Sequence, residues 1–109
     1  MDSVVFQETA LQLSADAALA IQPDITYEQL VALLAEKLED LISNNFQQFV
    51  LLLYKIDVSE NKVRDIFGPD VSADAYHKLA VVIIERQMQK IISRKATKRP
   101  HDEDGEEKW

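Results

Sequence analysis

Apolar side chains recur every three or four residues through Tyr27, Leu30, Val31, Leu34, Leu38, Leu41 and Ile42. They stay in phase through Phe46, Phe49, Val50, Leu53 and Ile56. A strand alternates every second residue, so a period this long commits the segment to helix. The same rhythm recurs before and after it. Phe6, Ala10, Leu13, Ala17 and Ile21 mark a first helix over residues 3–21, with Pro23 preventing continuation. Tyr76, Leu79, Ala80, Ile83, Ile84, Met88, Ile91 and Ile92 mark a last helix, and Val81 and Val82 widen its stripe. Breakers are few, with only 2 glycines and 3 prolines in 109 residues. The expected fold is therefore all-α: a small bundle of four to five antiparallel helices.

Local chemistry places the boundaries. Thr26-x-x-Gln29 fits a capping box, in which each side chain serves the other's backbone amide. Ser43, Asn44 and Asn45 are poor helix-interior residues but good caps, so a break is expected near 43–45. One continuous helix over 27–56 is the alternative. Asp57 or Ser59 then starts a short helix that Gly68-Pro69 ends, and Ser72 starts the last one. From Thr97 onward the chain is charged and aperiodic. The expected organisation is one domain over residues 1–96 and a disordered basic-then-acidic tail over 97–109.

The stretch LLLYKIDVSENKVRDIF and the later helix VVIIERQMQKIISRK resemble a family of small, uncharacterised bacterial helical proteins. The resemblance spans residues 26–95. It implies a bacterial cytoplasmic helical protein and no reaction, ligand or catalytic residue.

Charge limits the partners. The chain has net charge −7, but residues 90–99 hold five basic groups and no acid, while 1–89 hold 6 basic and 14 acidic groups. An acidic body repels phosphate, which argues against nucleic-acid binding by the folded part. The basic segment Lys90, Arg94, Lys95, Lys98 and Arg99 is the exception, and it has no interleaved aromatic to stack bases. No run reaches the length that crosses a bilayer. The absence of cysteine excludes thiol chemistry and fits a reducing cytoplasm.

Catalytic signatures are scarce. An EF-hand loop beginning at Asp57 would have Lys62 where the turn needs Gly and Gly68 where the ion needs a bidentate Glu. Asp70, Asp74 and His77 are close in sequence, but no nucleophile or further ligand accompanies them. Glu36, Glu39 and Asp40 read as a solvated helix face. The leading expectation is a non-enzymatic protein–protein interaction or regulatory module without cofactor or metal, a homodimer being one form of it. Its candidate core or interface residues are Tyr54, Val81, Ile84 and Met88, because the wide last helix suggests surplus apolar surface. The alternative is a nucleic-acid-associated accessory protein using residues 90–99. A third is an enzyme built around Asp70, Asp74 and His77.

Overall fold

The computed structural model describes residues 3–68 and 73–97. They form five helices: α1 (Ser3–Asp16), α2 (Tyr27–Asn44), α3 (Phe46–Ile56), α4 (Glu60–Phe67) and α5 (Ala73–Thr97). The expected all-α bundle is what forms. Ser72, Pro69 and the segment after Thr97 lie outside the described residues, as does the expectation of a disordered tail.

The capping box forms as its spacing requires. The Gln29 amide donates to Thr26 Oγ1 at 3.1 Å, and the Thr26 amide donates to Gln29 Oε1 at 2.9 Å. The period from 27 to 56 is interrupted at one residue, Asn45. Its backbone amide donates to the Leu41 carbonyl and closes α2, while its side-chain oxygen accepts from the Gln48 amide and opens α3. One residue that caps two helices explains why the apolar stripe keeps its phase across the break. Ser59 opens α4 by accepting from the Lys62 amide at 3.2 Å.

The first helix stops sooner than its stripe suggests. It ends at Asp16, and Ala18 has φ 55°, in the left-handed region. The Leu19 amide reaches back to the Ser14 carbonyl at 3.1 Å, a six-residue closure of the Schellman type. Leu19 then packs into the same cluster as Leu13, both buried. This hydrophobic latch sets the helix end without glycine, so the usual sequence signal is missing.

α5 packs against all four other helices, most extensively α2 and α1. Leu79, Ala80, Ile83 and Ile84 are fully buried on it, facing a cluster that includes Leu13, Leu30, Leu34, Leu38 and Ile56. Its wide stripe is thus the consequence of having neighbours on several sides. Tyr27, at the start of α2, meets the Phe6 ring with centroids 6.4 Å apart and ties α1 to α2.

Two predictions follow the geometry of these helix ends. Ala18 is exposed, so Ala18→Gly removes no packing and relieves a left-handed residue; urea unfolding should show a gain of about 0.5–1 kcal/mol. A loss of stability would contradict the latch. Burial pushes the Tyr27 hydroxyl above its ordinary 10.0, with the Glu85 and Glu28 carboxylates adding to the effect. The fold therefore holds this proton more tightly than the unfolded chain does. The resulting stability is complete below the ordinary value and is lost as pH rises through the raised one. Thermal melting between about pH 9 and about pH 11 should fall less steeply for Tyr27→Phe than for the natural chain.

Candidate functional site

The residues singled out in the sequence separate into core and surface. Ile84 is 0% exposed and belongs to the core. Val81 and Met88 are half-buried and packed against that core. Tyr54 stands apart, 77% exposed on α3. The apolar width of α5 is therefore mostly internal, although Ile92 near its end is exposed.

The more conspicuous apolar surface is the outer face of α3. Helical spacing places Phe46, Val50 and Tyr54 four residues apart along one line, with Leu51 beside it. Phe46 is 59% and Leu51 45% exposed, while Phe49, Leu52 and Ile56 turn into the core. The Phe46 ring lies against Phe49, with centroids 5.6 Å apart, so the exposed aromatic is anchored from beneath. α3 also contains no Asp or Glu, unlike each of the other four described helices.

Two cations of the basic segment, Lys90 and Lys95, are engaged within the fold, as is Arg86 one turn before it. Asp57, φ 68°, closes α3 in the left-handed conformation that Asp tolerates better than most residues. Arg86 donates from Nη2 to Asp57 Oδ2 at 2.9 Å and from Nε to the Asp57 carbonyl at 3.2 Å. Lys90 donates to the Lys55 carbonyl at 2.9 Å. Both cations therefore serve the C-terminal end of α3, where backbone carbonyls lack intrahelical donors and the dipole is negative. Lys95 pairs with Glu8 of α1 at 2.8 Å. Arg94 lines a groove between α1 and α5 together with Lys55, Arg86 and Lys90. Lys98 and Arg99 lie outside the described residues.

The calcium-like Asp-x-Ser-x-Asn is resolved by the same contacts. The Asp57 carboxylate meets Arg86, and the Ser59 hydroxyl caps α4. The Asp-His set does not assemble among the described residues. His77 is exposed, Asp74 pairs with Lys78 at 3.4 Å, and Asp70 lies outside the description. Among the described residues no three His, Cys, Asp or Glu side chains gather in a metal-binding arrangement, and no helix is long and apolar enough to cross a membrane.

Two features carry no signal in the sequence. Phe46 belongs to the apolar stripe by spacing yet is exposed, because a stripe counts apolar residues without showing how much of it a neighbour covers. Arg86 carried no motif, since its partner is distant in sequence. Comparison with protein-family models, with curated proteins and with solved structures returns no match.

Replacing Arg86 by Met keeps the aliphatic stem and removes both donors to Asp57. Urea unfolding should then show a loss of about 0.5–1.5 kcal/mol, the usual net value of hydrogen bonds partly open to water. An Asp57→Asn chain retains the carbonyl acceptor and should lose less. Equal stability of Arg86→Met and the natural chain would show that α3 closes without this contact.

Proposed function

We propose that this chain is a non-enzymatic helical interaction module that pairs with a second copy of itself across the outer face of α3. One observation carries the reading: an apolar, acid-free stripe on an acidic protein. A chain of net charge −7 repels its own copy across most of its surface. Across Phe46, Val50, Leu51 and Tyr54 two copies meet with no carboxylate from either α3 between them. A two-fold axis presents the same patch from both partners, and an antiparallel pairing of the two α3 helices also opposes their dipoles favourably.

The size of the patch sets the strength. Its exposed side chains offer on the order of a few hundred Å², an area common on monomers, whereas a stable interface uses roughly 800 Å² from each partner. The pairing is accordingly weak, with Kd in roughly the micromolar range or above, and responds to concentration. Such a response suits a regulatory module. The setting we assign is a bacterial cytoplasm, supported by the absence of cysteine and by the resemblance over residues 26–95. Less supports the nucleic-acid alternative, since Lys90 and Lys95 are held by α3 and α1.

Sedimentation velocity over a concentration series tests the proposal. The natural chain should sediment faster as concentration rises toward about 1 mM. Tyr54→Glu should remain monomeric at every concentration with an unchanged melting temperature, because this side chain is 77% exposed. A natural chain that stays monomeric throughout would overturn the reading.

A further inference from the structure

The groove between α1 and α5, at the C-terminal end of α3, has a volume of about 560 Å³. Four cations line it: Lys55, Arg86, Lys90 and Arg94. Asp16 is the single carboxylate in the lining, and Asp57 pairs with Arg86 from outside it, so cations outnumber carboxylates at this groove. This local excess is opposite in sign to the chain's −7. Asp16 is turned partly to its own helix, where Gln12 Nε2 donates to its two oxygens at 3.2 and 3.3 Å.

At the wall of the groove lies Gln87. It is 2% exposed, the most buried of the long polar side chains on α5. No hydrogen bond to its carboxamide is found among the described residues. Buried polar groups are nearly always paired, so a buried glutamine at the wall of a cationic groove, with no hydrogen bond to its carboxamide among the described residues, marks a position for a bound species. Arg86, Lys90 and Arg94 recur at four-residue spacing along α5, which aligns their charges on one helical face. Lys55 adds a charge from α3.

We infer that this groove binds a small, multiply charged oxyanion of the phosphate class, held by Arg94, Lys55 and the Gln87 carboxamide. Arginine offers paired donors that match a phosphoryl group, and a dianion answers a cluster of cations better than a single carboxylate does. Arg86 and Lys90 contribute field while they hold the end of α3. The ligand thus joins α3 and α5 at one point. The inference is independent of pairing across α3, because none of its residues belongs to that face's apolar stripe.

The test is a titration of the full isotope-labelled chain, followed by the Gln87 side-chain amide resonance. The probes are inorganic phosphate, pyrophosphate and malonate, with sodium chloride at matched ionic strength as control. Phosphate or pyrophosphate should move the Gln87 signal saturably, and malonate should bind about tenfold more weakly or not at all. Arg94→Gln should weaken pyrophosphate about tenfold, and Gln87→Met should abolish its protection against thermal unfolding beyond that given by salt. Should Gln87→Met fail to fold, the Arg94→Gln titration decides alone. A Gln87 signal unmoved by any probe, or moved equally by chloride, would leave only bound water in the groove and overturn the inference. Tighter binding of malonate than of pyrophosphate would overturn the phosphate assignment.

Discussion

The structure depends on the burial of α5 by four other helices. Fully burying a Leu or Ile side chain contributes roughly 1.5–3 kcal/mol before conformational entropy is set against it. Leu79, Ile83 and Ile84 lie together on this helix, at the meeting point of α1 and α2. No other helix contacts all the rest so broadly. α4, with no fully buried residue of its own, is held by its contact with α5 and by its caps. Because α5 must be apolar around much of its circumference, its width reports the number of its neighbours and not a surface for partners.

The same central helix controls the ends of the others. Arg86 and Lys90 reach the last carbonyls of α3, and Lys95 reaches Glu8 of α1. The basic segment is in this sense a set of fasteners placed where helix ends lack donors. It also concentrates positive charge beside a groove in an otherwise acidic protein. The apolar outer face of α3 lies on a helix whose C-terminal end these fasteners hold. One helix thus shapes both surfaces to which a role is assigned.

Much of the fold was legible because its signals are local. Thr26 and Gln29 lie three residues apart, and Asn45 interrupts an otherwise continuous stripe, so each boundary is encoded where it occurs. The early end of α1 was not legible, since it rests on Leu19 packing beside Leu13 and on an alanine taking a left-handed conformation. The surfaces were less legible still. Tyr54 and Ile84 are both apolar stripe members by spacing, yet one is exposed and the other wholly buried. Only the three-dimensional arrangement decides which side of a stripe a neighbour covers. Gln87 gave no sequence signal, because a glutamine in a helix is ordinary until its surroundings are known.

Native-state hydrogen exchange, measured residue by residue on dilute protein, tests the central position of α5 most directly. The amides from Leu79 to Ile91 should exchange only through global unfolding and be the slowest in the chain, with those of α4 opening at lower free energy. Faster exchange in that stretch of α5 than in α1 or α2 would contradict the claim that the other helices are organised around it.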